Sequence, residues 1–208
     1  MKGVMDAPTK IREGEELDVS TLESFLKDEI KDLSGPFEVK QFPSGFSNLT
    51  YQIRAGDREL ILRRPPFGTK AKSAHDMGRE FNILTALYSV FPYCPRPYVY
   101  SEDEAIIGSS FYVMEKLQGI ILRKNLPKGL SFTPEQAKTL SESALDVQHT
   151  LHSVDYKAIG LGDFGKPQGY VRRQVEGWSK RYRNARTEDA PDFEAVMAWL
   201  DKHQPPDC

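Results

Sequence analysis

A chain of 208 residues is long enough to bury about 70 % of its unfolded surface, so it needs no disulfide or metal staples, and at about 150 residues per domain it holds one to two domains. Hydrophobic residues make up 39 % and charged residues 28 %, and 28 Lys plus Arg against 30 Asp plus Glu leave a formal charge of −2, which excludes a polyanion binder held by net charge alone. The 11 % aromatic content, only 15 Gly and 14 Pro, and the lack of any run of roughly 18 to 20 apolar residues argue against a disordered chain and a helical membrane span.

The start, MKGVMDAPTKIREGEELD, is polar where a signal peptide needs an apolar stretch, so a cytoplasmic location is expected. Ser20 and Glu23 in capping-box spacing open an amphipathic helix carrying Leu22, Phe25, Leu26, Ile30 and Leu33, and Ser34-Gly35-Pro36 stops it. The period then changes to two. Phe37, Val39 and Gln41 share one face of a strand, the turn-rich Pro43 to Asn48 follows, and Leu49, Tyr51 and Ile53 alternate with Thr50, Gln52 and Arg54. Gly56-Asp57 turns into a third strand, Glu59 to Arg64, which Pro65-Pro66 ends because proline cannot donate to a ladder.

Helical spacing returns over residues 75 to 90, with Met77, Phe81, Leu84 and Tyr88 on one side. Two short strands follow at Tyr98 to Tyr100 and Phe111 to Met114, separated by polar turns. Beyond Gly119, Pro127 and Gly129 the chain reads as helical. Thr133, Pro134 and Gln136 open a helix bearing Leu140, Ala144, Val147 and Leu151; a second carries Val171, Val175, Trp178 and Tyr182; a third carries Phe193, Val196, Met197 and Leu200. A sheet in the first 115 residues with one inserted helix, followed by helices alone, is an α+β pattern with two unequal lobes. Cys94 and Cys208 are expected as free thiols, and His75, His149, His152 and His203 have no metal-ligand spacing.

The loop Ser44-Gly45-Phe46-Ser47-Asn48 is small, polar and flexible, which suits backbone N–H groups approaching phosphate oxygens. On the period-two rule Ile61 and Arg63 share a face, so an apolar floor and a cation point the same way, and Glu80 sits in the helix that follows. A glycine-containing loop, a strand-three cation and a helical acid, in that order, are the nucleotide-binding parts of a kinase small lobe.

The segments SGFSNLTY (44 to 51), ILRRPP (61 to 66), REFNILTAL (79 to 87), FYVMEKLQG (111 to 119) and GLGDFGKPQGYVRRQVEGW (160 to 178) together resemble the aminoglycoside phosphotransferase and choline kinase-like family. Within it they look like the phosphotransferase domains fused in front of some acyl-CoA dehydrogenases. The resemblance implies a protein-kinase-like fold: an N-terminal helix (1–35), a small lobe and hinge (36–118) and the first helices of a large lobe (119–208). It further implies that Ser44, Gly45, Phe46, Ser47 and Asn48 face phosphate, that Arg63 stands where the family usually has lysine, that Glu80 is its partner, and that Ile61 with hinge residues Met114, Glu115, Lys116 and Leu117 meets the adenine.

The family's HGD-containing catalytic loop, its downstream Asn and its IDW-like aspartate are not found, so the chain is expected to be a fragment ending upstream of them. Asp163-Phe164-Gly165 spells a protein-kinase metal motif, yet upstream stands His152-Ser153-Val154-Asp155 with no following Asn, so a structural turn is expected there. His149 and His152 read as helix-end residues. Arg172, Arg173, Lys180, Arg181, Arg183 and Arg186 lie opposite an apolar stripe and read as a solvated face rather than a nucleic-acid surface.

The reading that follows is an ATP- and magnesium-dependent small-molecule kinase. It would act on a hydroxyl of an unspecified acceptor, with metal ligands expected beyond residue 208 and slight phosphate transfer by these residues alone. The alternative is a catalytically silent nucleotide-binding or interaction module. No membrane partner is expected, and uncovered apolar stripes in the helical part point to self-association.

Overall fold

The computed structural model describes residues 6–43, 48–68, 75–166 and 168–206. The chain divides into two compact units, Met1–Asp155 and Tyr156–Cys208.

The first unit opens with α1 (Val19–Glu29), whose Leu22 and Leu26 are fully buried. Its N-cap is Asp18 rather than Ser20: the Asp18 carboxylate accepts from the Thr21 amide at 3.0 Å and from the hydroxyls of Ser20 and Thr21. Both residues are good cap formers two positions apart, and a carboxylate at a helix N-terminus also meets the positive end of the dipole.

Strands β1 (Phe37–Gln41), β2 (Leu49–Ala55) and β3 (Arg58–Arg64) form an antiparallel meander. After α2 (Met77–Tyr88) come β4 (Pro97–Ser101), a short α3 (Glu104–Ile107) and β5 (Phe111–Glu115). Strand β5 inserts beside β3, so the five-stranded sheet runs β1-β2-β3-β5-β4, antiparallel throughout. Helix α3 replaces the simple turn expected from the sequence. Asp103 caps it, Gly108 closes it in the left-handed region at φ 76°, and Ile106 and Ile107 are buried.

The sheet has two unlike faces. Leu49, Tyr51, Ile53, Leu60, Leu62, Phe111 and Val113 point one way and join Leu22, Leu26, Ile106 and Ile107 in the apolar core. Thr50, Gln52, Ile61, Arg63, Tyr112 and Met114 alternate with them and point the other way, because successive side chains of a strand leave opposite faces. Helix α2 packs against β4 and β5. Its Phe81 stacks near Tyr100 and Tyr112, and Gly78 lies so close under Tyr100 that a Cβ there would sit 2.8 Å from the phenol oxygen.

Helix α4 (Pro134–His152) opens with the expected capping box between Thr133 and Gln136 and ends with His149 and His152 in its last turn. In the second unit α5 (Tyr170–Ala185) packs on α6 (Glu194–Lys202). The pair is tied by Arg183 to Glu194 at 2.7 and 2.9 Å and by the Tyr182 and Phe193 rings, 5.5 Å apart. Phe193, expected in the last helix, is its N-cap. Asp163 lies in a turn. Cys94 is a buried free thiol, and burial pushes it up; Cys208 lies outside the described residues. Among the described residues no helix is long and apolar enough to cross a membrane.

Candidate functional site

On the α2 side of the sheet a cavity of about 430 Å³ opens beside the segment leaving β5. Ile61 and Met114, paired opposite each other on β3 and β5, form its floor. Phe42, Thr50, Pro95 and the run Glu115 to Ile121 make its walls, and Asp6 and Arg123, which form an ion pair, lie at its edge. An apolar floor beside exposed main chain suits a flat heteroaromatic ring.

That main chain is held from behind. The Lys116 amine donates to Glu59 on β3 at 2.7 Å, and the Gln118 amide donates to the same carboxylate at 3.3 Å. These bonds, Lys116 foremost, hold the Glu59 carboxyl below its usual range, so it stays ionised and keeps the tether. The backbone groups of Lys116, Leu117 and Gln118 make no backbone hydrogen bond with described residues, leaving donors and acceptors at the cavity wall.

Arg63 is the next residue after Ile61 on the same face, opposite Thr50 on β2 and Tyr112 on β5. Its Nη1 lies 3.2 Å from Glu80 Oε2. Glu80 also accepts from the Tyr112 hydroxyl at 2.9 Å and, through Oε1, from Asn48 Nδ2 at 2.8 Å. Burial pushes the Tyr112 phenol up strongly, so at neutral pH it remains a hydroxyl donor. The carboxylate is thereby surrounded by three donors from β2's entry, β3 and β5. Arg63 Nε is buried and has no partner among the described residues, which leaves one N–H of a charge-bearing group unspent.

Arg64 follows the opposite course. It is 2 % exposed, on the core side, where Nη1 donates to the Ile107 carbonyl at 2.9 Å and the guanidinium lies 4.0 Å from the centre of the Phe67 ring. Loss of water lowers its pKa, and the nearby Tyr51 and Glu15 oppose that shift. The two arginines leave opposite faces, as alternation requires, and Arg64 is part of the core.

Of the residues singled out from the sequence, Ile61, Met114, Glu115, Lys116 and Leu117 line the cavity. Asn48, Arg63 and Glu80 come together in one hydrogen-bonded cluster beside it. Ser44, Gly45, Phe46 and Ser47 lie outside the described residues. Sequence reading missed Tyr112 in this cluster, although its phase with Met114 on β5 carried the signal. It also missed His75, whose Nδ1 lies 2.7 Å from Asn48 Oδ1.

Four of the basic residues on or just beyond α5 are engaged within their own unit: Arg183 with Glu194, Arg181 over the Trp178 ring at 4.7 Å, Arg173 on the carbonyls of Lys166 and Gln168, and Arg186 on the Ala190 carbonyl at 3.2 Å. Among the described residues no three His, Cys, Asp or Glu side chains converge as a metal-holding group.

Comparison with known proteins places these features. Acyl-CoA dehydrogenase family member 10 of Mus musculus is 41 % identical over 185 residues, 88 % of this chain and 17 % of that protein. Acyl-CoA dehydrogenase family member 11 of Homo sapiens is 33 % identical over 193 residues, 90 % of this chain and 24 % of that protein, so the chain spans a quarter or less of either relative. Among solved structures, a protein of Ralstonia eutropha provisionally designated an aminoglycoside phosphotransferase superposes with a TM-score of 0.74 at 33 % identity, over 91 % of this chain and 54 % of that one. The expected kinase-like α+β fold is thus the observed one. The sequence model of the phosphotransferase enzyme family matches residues 38–208, and the chain belongs to that family.

Proposed function

We propose that this chain forms the nucleotide-holding part of an ATP-dependent small-molecule kinase, with residues 36–118 as small lobe and hinge and 119–208 as part of the large lobe. The observation that carries the reading is the juxtaposition, on one sheet face, of the Ile61–Met114 cavity with its unpaired main chain and the partly exposed Arg63 cation held by Glu80. Adenine would lie on Ile61 and Met114 with its edge toward the backbone of Glu115 to Leu117. The phosphates would run toward Arg63 and the loop that ends at Asn48.

The chemistry asked of these residues is electrostatic. Phosphoryl transfer spreads negative charge over the transferred group, so positioning and charge stabilisation supply most of the rate. Arg63 offers a planar fork where family members usually present a lysine point charge, and it suits two phosphate oxygens at once. Glu80 holds that fork by Nη1, and the Arg63 side chain, about one-third exposed, leaves part of the guanidinium open to a ligand. The described residues do not assemble a magnesium site, and no step is assigned to the metal. The acceptor is a small molecule bearing a hydroxyl.

Titration calorimetry with ATP tests this. The 208-residue chain is expected to bind ATP, and Arg63→Ala to weaken binding about tenfold, the loss of one charge-assisted hydrogen-bonded contact. Absence of ATP binding by a folded chain overturns the reading. Binding that is indifferent to Arg63 overturns the assignment of the phosphate end.

A further inference from the structure

His75 lies outside helix α2, one residue before its N-cap Asp76, in the left-handed region at φ 71°. That conformation is uncommon outside Gly, although Asn, Asp and His adopt it more often than other side chains, so a partner that favours it is expected. That partner is Asn48, through a hydrogen bond of 2.7 Å between His75 Nδ1 and Asn48 Oδ1, spanning 27 residues of sequence. Asn48, just before β2, is buried, and both ends of its amide are engaged, Nδ2 with Glu80 and Oδ1 with His75.

The direction of each bond follows from the chemistry of the partners. Glu80 accepts from the Tyr112 hydroxyl and from Arg63 as a carboxylate, so the Asn48 atom facing it at 2.8 Å must be the donor Nδ2. Asn48 Oδ1 therefore faces His75 and can only accept, which requires a proton on His75 Nδ1. The neutral ring is held as the Nδ1–H tautomer. Its Nε2 has no partner among the described residues.

We infer that His75 is a positioning residue. By donating from Nδ1 it completes the hold that Glu80 has on the Asn48 amide, locking it in place and tying the entry of β2 to the helix that carries the Arg63 partner. Without that donor the Asn48 amide is held through Glu80 alone, so the entry of β2 is less firmly tied to α2 and the Glu80 carboxylate loses part of its support beside Arg63. The consequence for nucleotide affinity rests on the function proposed above; the lock itself does not.

Three variants separate the bond from the backbone strain. His75→Asn keeps both a tolerance for the left-handed backbone and an N–H donor at about the place of Nδ1. His75→Gly relaxes the backbone and removes the donor, and His75→Asp suits the backbone but offers an acceptor. Two readouts are taken on the full chain: nitrogen-15 NMR of the His75 ring with solvent exchange of the Asn48 side-chain amide, and calorimetry with ATP. The expected results are an Nδ1–H tautomer in the wild type, Asn48 exchange slow in wild type and His75→Asn but accelerated in His75→Gly and His75→Asp, and ATP binding weakened about tenfold, or about 1.4 kcal/mol, in the latter two alone.

An Nε2–H tautomer, or Asn48 exchange unchanged in His75→Gly, overturns the lock. ATP affinity equal in wild type and His75→Gly, with exchange altered as expected, overturns the positioning role. If wild type shows the tautomer and slow exchange but binds no ATP, the lock is upheld and the nucleotide reading fails.

Discussion

The two faces of the sheet are made from the same strands, yet they differ in what a single polar group does there. On the core side Arg64 is enclosed by Ile107, Phe67 and Tyr51, and its charge is compensated by a carbonyl, a ring face and distant charges. One residue earlier, Arg63 faces a half-open cluster in which it pairs with Glu80, itself held by Tyr112 and Asn48. The lesson is that strand alternation can place one cation wholly inside the core and the next in a cluster that stays partly open to solvent, so that neighbouring arginines answer to different constraints.

The largest expected effect breaks the comparison from the core side. Arg64→Ala removes a large buried side chain, leaves the Ile107 carbonyl without its donor, and should cost about 3 kcal/mol in urea unfolding. Arg64→Met, which refills most of the volume, should cost about 1 kcal/mol. Neither should change the ATP affinity of the folded protein by more than about twofold. A tenfold loss in Arg64→Met would mean the two faces are not functionally distinct.

Next comes the site side. Arg63→Ala should cost less than about 1 kcal/mol of stability, because its partner Glu80 is about one-third exposed and keeps the Asn48 and Tyr112 bonds, while weakening ATP about tenfold. Cutting the hinge tether by Glu59→Gln should act in the same direction but more weakly, about threefold in ATP affinity, by loosening Lys116 and Gln118.

The smallest effect lies on α1, far from the cavity-lining residues. Hydrogen bonds from the Thr21 amide and hydroxyl and from Ser20 depress the Asp18 pKa to about 2 from an ordinary 3.8. A depressed folded-state pKa gives stability that is present above the unfolded value and lost as pH falls through the folded one. The thermal midpoint of wild type should thus fall toward that of Asp18→Asn between about pH 4 and pH 2, with no difference in ATP binding at neutral pH.

Much of this organisation could be read from the residues. The alternation in Leu49 to Ile53 and Ile61 to Arg63 assigns the faces, because a strand's period of two leaves no choice once one side is apolar. The order of loop, cation and acid anticipated the contact between Arg63 and Glu80. What escaped reading has local physical causes. Helix α3 has four residues, too few for any helical period to register. Arg64 closes a strand before two prolines, and alternation aims it away from Arg63, but its burial against the Ile107 carbonyl, 43 residues away, has no local signal. His75 looked like the first residue of a helix, but its left-handed backbone and its bond to Asn48 are set by tertiary structure alone.

The central claim is that the α2-side face of the sheet, and not the core face, receives the nucleotide. Hydrogen exchange followed by mass spectrometry, with and without saturating ATP, tests it in one measurement. Slowed exchange at Met114 to Gly119 and Asn48 to Thr50, with α1 (Val19–Glu29) unchanged, is the predicted result. ATP-dependent protection confined to α1, or to α5 and α6, with Met114 to Gly119 unaffected, would contradict it.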